Sequence, residues 1–322
     1  MKKSKKTFIG MTFLALALAA ISAFVSTGRR SVSAAAAPTA AAAAQTWNMP
    51  VYIFAVTTDN TLYFLAPGST TYQSLGRVAG IGGNDIIGID FRPANQQLYA
   101  LTDGGRLYTI NFNVAPPTAT LVSALTPRFP SGFQSLLDFN PVVDAIRLIG
   151  SDTLNYAVVK DANGVLKTTA VQTALTYAAG DVNAGKTPKV SAGAYTNNVA
   201  GATTTIFYAI DYDQDTLVTI ADKNNGSSNT GGGRLQTIGP LVDSAGNKIT
   251  VNPAADIDIL TFNGVNYLVG VSRDITFQIP FSQINQNLPL GTTQNVAVQG
   301  FLFPTNPTAR SSFIDIAVSN LR

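Results

Sequence analysis

The chain has 322 residues, enough for one large domain or two small ones, with no Cys, no His and only Asp among its 18 acidic residues. These absences exclude disulfides, thiolate metal sites and triads of the Ser-His-Asp or Cys-His kind, leaving Asp, Lys, Tyr, backbone groups or a bound metal as chemical resources. The formal charge of +3 belongs to the N-terminus: six of the 21 basic residues precede residue 31, and beyond them acidic residues outnumber basic ones, no electrostatic footprint for nucleic acid.

The first segment is predicted to be an export signal. A basic MKKSKK precedes an apolar run from Phe8 to Val25, and small residues follow in SVSAAAA. Val32-Ser33-Ala34 suits a signal peptidase, which puts the signal at residues 1–34. The apolar run is longer than an ordinary signal core, so an uncleaved N-terminal anchor competes; cleavage is preferred because Ala and Ser dilute the run. An Ala-rich linker is expected over 35–46, followed by a single domain from 47 to 322. The domain is expected to be secreted, periplasmic or at the cell surface, touching a membrane only through the N-terminal segment if that is retained.

After Trp47 the apolar residues come in short runs rich in Val, Ile, Tyr, Phe and Thr, bounded by Gly, Asn, Asp and Pro. Five segments share a strand–turn–strand plan: YIFAVTTDNTLYFLAP, QLYALTDGGRLYTINF, AIRLIGSDTLNYAVVKDANG, IFYAIDYDQDTLVTIADKNNG and NYLVGVSRDITFQIPF. GIDFRP, LLDFNP, SAGAYTN and DIDILTFNG each lead into one of these hairpins. ATLVSAL, LKTTAVQTAL, RLQTIGPL and NVAVQGFL each close a unit. Four strands per unit is the rhythm of a β-propeller. The first hairpin lacks a leading strand, while the C-terminal FIDIAVSN is a leading strand with no hairpin. The last strand is therefore predicted to complete the blade formed by residues 51–78, closing an all-β propeller of about five four-stranded blades. Six blades result if residues 170–189 hide further strands.

Three patterns invite chemistry. G-x-x-x-x-G-K-T spans Gly180 to Thr187, but strand-like KVSAGAYTN follows where a phosphate loop requires a helix, so no nucleotide is expected. DYDQDTLVTIAD resembles a calcium loop, yet Thr216 stands where the sharp turn needs Gly; a hairpin turn is preferred. Asp90, Asp138, Asp258 and Asp315 occupy the same place in four leading strands, and Ala194 occupies it in the remaining one. On innermost strands these carboxyls either ring the axis and bind a cation such as Ca²⁺, or accept backbone N–H bonds and fasten blade to blade. The fastening role is preferred, with no catalytic residue and no cofactor expected. Asn163-Gly164 and Asn263-Gly264 read as hairpin corners, Pro93 and Pro141 as exits from inner strands, and Asn225-Gly226-Ser227 as a glycosylation sequon within a polar loop.

GIDFRPANQQLYALTDGGRLYTIN, LLDFNPVVDAIRLIG, YAAGDVNAGKTPKVSAGAYTN and TTTIFYAIDYDQDTLV together resemble a bacterial family known as domain of unknown function 4394. The resemblance covers most of residues 50–262 and implies an exported, propeller-like protein without established activity or catalytic residues. The sequence departs from that family after Arg147, where an Asn-x-Arg pattern gives way to TLNYAVV. The function expected is extracellular binding or scaffolding of an unknown envelope ligand without catalysis. The alternative is a metal-dependent hydrolase or lactonase of propeller type, in which a cation held by Asp oxygens activates water.

Overall fold

The computed structural model describes residues 51–130, 132, 134–150, 152–220, 232–272, 275–302 and 313–319. The signal segment, the Ala-rich linker, Trp47 and the Asn225 sequon lie outside the described residues. No described helix is long and apolar enough to cross a membrane.

The chain forms strands β1 (Tyr52–Thr57), β2 (Thr61–Leu65) and β3 (Gln73–Arg77), then β4 (Ile86–Phe91), β5 (Leu98–Thr102), β6 (Arg106–Asn111) and β7 (Thr118–Ala124). Next come β8 (Ser135–Asn140), β9 (Ala145–Gly150), β10 (Asn155–Lys160) and β11 (Leu166–Val171), and a short β12 (Thr176–Tyr177). β13 (Val190–Tyr195), β14 (Phe207–Asp211), β15 (Thr216–Ile220) and β16 (Arg234–Val242) make the next unit. The last comprises β17 (Asp256–Phe262), β18 (Val265–Ser272), β19 (Ile275–Pro280), β20 (Val296–Ala297) and β21 (Gln299–Leu302); β22 (Phe313–Ser319) ends the series.

The sheets are β22-β1-β2-β3, β4-β5-β6-β7, β8-β9-β10-β11, β13-β14-β15-β16 and β17-β18-β19-β21: five blades of a β-propeller. The C-terminal strand completes the first blade as predicted, with Phe54 opposite Ala317 and Val56 opposite Asp315 in antiparallel register. Innermost strands touch in the cyclic order β22, β4, β8, β13, β17 and back to β22. Residues 170–189, the alternative place for a sixth blade, contribute the end of β11 and the short β12, which pairs in parallel with β16. NVAVQGFL, expected as one closing strand, divides. β20 joins the preceding blade beside β16, and β21 closes its own blade against β19.

A blade in a ring has a neighbour on each face, so its inner strands are buried on both sides and read as mainly apolar runs, interrupted by a few short polar residues. All six residues of β4, β8 and β13 are buried. Successive side chains alternate between the two neighbours. In β8, Leu137 and Phe139 pack with Tyr99 and Leu101 of the second blade, while Leu136 packs with Phe207 and Ala209 of the fourth. Five such apolar layers, one per junction, make up the core.

The fourth blade shows how an outer edge is sealed. β16 offers unpaired groups outward, and β12 covers one half while β20 covers the other. Between them the Asp181 carboxyl accepts from Thr237 N–H (2.7 Å) and Thr237 Oγ1 (2.8 Å), and Asn183 Nδ2 donates to Thr237 Oγ1 (3.0 Å). The Gly180–Thr187 string is thus the loop that wraps this edge, leading into strand β13 where a phosphate loop would open a helix. Gly239 serves the same edge: a side chain there would collide with the Gln294 carbonyl. The DYDQD segment is a hairpin turn. Asp211 Oδ1 accepts from Asp213 and Gln214 N–H, and its Oδ2 accepts from Lys189 N–H and Tyr177 Oη.

Two outcomes check this architecture. Asp181→Ala leaves the Thr237 N–H buried without an acceptor and should destabilise by about 2–3 kcal/mol in urea unfolding, with little change in m-value. Deleting residues 313–322 removes the strand that closes the ring and should abolish the cooperative thermal transition seen in the full chain.

Candidate functional site on the ring axis

An innermost strand has a partner on one side only, so about every second N–H and C=O faces the axis and needs another partner. The recurrent aspartates supply acceptors. Asp315 Oδ1 accepts from Ile89 N–H (2.8 Å), Asp90 Oδ2 from Phe139 N–H (2.7 Å) and Asp138 Oδ1 from Tyr195 N–H (3.0 Å). Asp258 Oδ2 accepts from Val318 N–H (2.6 Å), returning to the first blade. Each carboxyl therefore reaches from its own blade to the next one around the ring.

The fourth blade breaks the pattern with Ala194, and the structure shows what replaces the missing acid. Asp256, two residues before Asp258 on the same face of β17, accepts from Ile316 N–H (2.9 Å) and from the backbone of Gly193 in the fourth blade. One aspartate thus touches the blades on both sides. Asp90, Asp138, Asp258 and Asp315 lie on innermost strands, as their repeated position predicts, whereas Asp256 has no counterpart in the repeat. The spacing of two in D-I-D-I was the available signal, since it puts both carboxyls on one face.

The five aspartates are at most 3% exposed. Oxygens of Asp90, Asp138 and Asp258 lie within 4.8 Å of one another. Burial raises the carboxyl pKa of all five, and neighbouring carboxyls raise those of Asp90, Asp138, Asp256 and Asp315 further, against the opposing pull of the N–H donors. For Asp258 burial dominates and the value rises to about 7. Two oxygens among these groups, Asp90 Oδ1 and Asp315 Oδ2, are buried without a hydrogen-bond partner. Packing is tight: a side chain on Gly88 would meet Leu137 Cβ at 2.7 Å and Asp315 Oδ2 at 3.6 Å.

Arg147 stands opposite Asp138 in register on β9. Its guanidinium donates to Tyr195 Oη (2.6 Å) and Asn155 Oδ1 (2.6 Å) and lies over the Tyr195 and Phe207 rings. The Asn155 of TLNYAVV is therefore an Arg147 partner, a role the sequence did not reveal. Nearer the surface, Arg92 pairs with Asp144 through two bonds (2.7 and 2.5 Å), and Lys160 joins them at 2.5 Å. Burial alone would raise Asp144, but these hydrogen bonds and charges prevail and lower it.

The axial group has a defined pH signature. A carboxyl whose folded-state pKa exceeds its unfolded value of about 4 binds its proton more tightly when folded. Its contribution to stability is complete below about pH 4 and is lost as the pH rises through about 7 for Asp258. Asp144 works oppositely and loses its contribution only as the pH falls below about 4. With chelator present, the melting temperature should therefore fall between pH 5 and 8, and Asp258→Asn should flatten that fall in calorimetric scans.

A search of curated proteins finds no match. Among solved structures the chain is similar to the nidogen/laminin complex, with a TM-score of 0.45 and 10% identity over 83% of this chain and 98% of that one. It is similar to the major Malassezia sympodialis allergen Mala s 1, with a TM-score of 0.40 and 10% identity over 80% and 77%. For dihydro-heme d1 dehydrogenase NirN in complex with DHE the TM-score is 0.33 and the identity 14%, over 77% of this chain and 45% of that one. At such values the likenesses carry nothing about function. The family model described as Domain of unknown function (DUF4394) matches residues 61–298, and the chain belongs to that family.

Proposed function

We propose that the protein is an exported, non-enzymatic β-propeller that binds or scaffolds a component of the cell envelope, outside the cytoplasm. The observation that carries this reading is the division of labour between axis and rim. The axial carboxyls are buried and engaged in joining blades, while the 180–187 loop is anchored at its base and open at its tip. Asp181 and Asn183 fix the base to Thr237. Val182 is 50% exposed, and Leu290, on the adjoining loop, is 47% exposed. A side chain built on Gly180 would touch Leu290 at 3.7 Å. Exposed apolar side chains on a rigidly held loop are the usual material of a binding surface. The N-terminal signal pattern supports the location.

The rival reading, a metal-dependent hydrolase or lactonase, draws on the three carboxyls that lie within 4.8 Å of one another. Their burial argues against it, because a substrate would need a path to groups at most 3% exposed.

Sedimentation of purified protein with isolated cell-wall polysaccharide tests the binding reading. Wild type should be retained, and Val182→Ser with Leu290→Ser should reduce retention several-fold while leaving the melting temperature within about 2 °C. Retention unchanged by the double substitution, or none for wild type, overturns it. Ester or lactone turnover that Asp258→Asn abolishes would favour the rival.

A further inference from the structure

The axial cluster offers oxygen donors in a geometry that one ion can span. Two ligand atoms on one ion are separated by at most twice the bond length. Calcium, with bonds of about 2.3–2.6 Å, can span oxygens up to roughly 4.6–5.2 Å apart. The oxygens of Asp90, Asp138 and Asp258 lie within 4.8 Å of one another. A second observation is independent of their proximity. Asp90 is 1% exposed and its Oδ1 makes no well-aligned hydrogen bond, although its Oδ2 is held by Phe139 N–H and the Phe91 backbone N–H lies near the carboxyl. Asp315 Oδ2 is likewise buried without a partner, on a carboxyl that interacts electrostatically with Asp90 and Asp258. A buried oxygen with no donor costs on the order of 1–3 kcal/mol and more if charged, so such atoms call for a ligand.

We propose that Asp90, Asp138 and Asp258 hold one divalent cation of the calcium class on the axis of the ring. The donor chemistry supports that class. The chain has neither His nor Cys, so only oxygen ligands are available, and these suit hard cations. Calcium takes six to eight oxygens in irregular geometry, and axis-facing carbonyls of the innermost strands or water would complete its shell. The ion would neutralise like charges that otherwise repel and would tie the second, third and fifth blades together. Its role is structural, and it does not rest on the binding reading: envelope retention and calcium response are separate measurements.

The test uses the full-length protein, first assayed for bound metal by mass spectrometry and then stripped with chelator and dialysed. About one calcium per chain is expected. Addition of 10 mM CaCl₂ at pH 7.5 should raise the melting temperature by about 3–8 °C, and MgCl₂ should raise it less. Asp90→Asn should lose the response, while Asp213→Asn, in the exposed acidic turn, should keep it. Should Asp90→Asn not fold, displacement of Tb³⁺ by Ca²⁺ on the wild type decides, with one displaceable ion expected. No bound metal together with a melting temperature indifferent to calcium overturns the proposal and leaves proton sharing as the way the cluster is accommodated. So does a response that survives in Asp90→Asn but vanishes in Asp213→Asn.

Discussion

The constraint on which this ring depends is the unpaired inner edge of each blade. A four-stranded sheet ends at the axis in a strand with one partner, and its remaining N–H groups are too buried for bulk water to satisfy. An aspartate from the preceding blade meets that need at four junctions, through Ile89, Phe139, Tyr195 and Val318. The bond joins the innermost strands of two neighbouring blades. Apolar layers between blades provide bulk stabilisation without direction, since burial is insensitive to small slips. The carboxyl–amide bonds provide direction: each fixes the height of one strand against the next.

The exception at Ala194 is informative because the need does not vanish with the acid. Asp256 reaches Gly193 on one side and Ile316 on the other, so one residue serves two junctions. The outer edge of the same blade follows identical chemistry, where Asp181 accepts from the Thr237 N–H left between β12 and β20. Inner and outer edges thus meet the same problem with a short acid aimed at a lone backbone donor.

Much of this was legible in the sequence. The blade number, the leading strands and the closure by FIDIAVSN follow from repetition, because each blade must solve the same packing problem with similar residues. The four aligned aspartates were visible for the same reason. Asp256 was not, since it compensates for a break in the repeat and repetition cannot announce a compensation. Nor could the sequence divide NVAVQGFL, because β20 joins the neighbouring blade through long-range pairing that local propensity does not encode. Asn155 as a partner of Arg147 was hidden likewise, although only eight residues separate them.

The exclusive use of Asp fits this account. A side chain that must cross from one β-strand to the N–H of the next has little distance to cover, and one further methylene would add a rotatable bond whose freedom is lost on folding. Shortness also keeps each carboxyl near its own backbone: Asp258 accepts from the N–H of Ile259 beside it as well as from Val318. The same shortness brings the groups together on the axis, where burial and mutual repulsion favour the neutral acid or a shared cation. The geometry that joins the blades therefore also crowds the carboxyls at the centre, and both follow from placing short acids at the junctions around a ring.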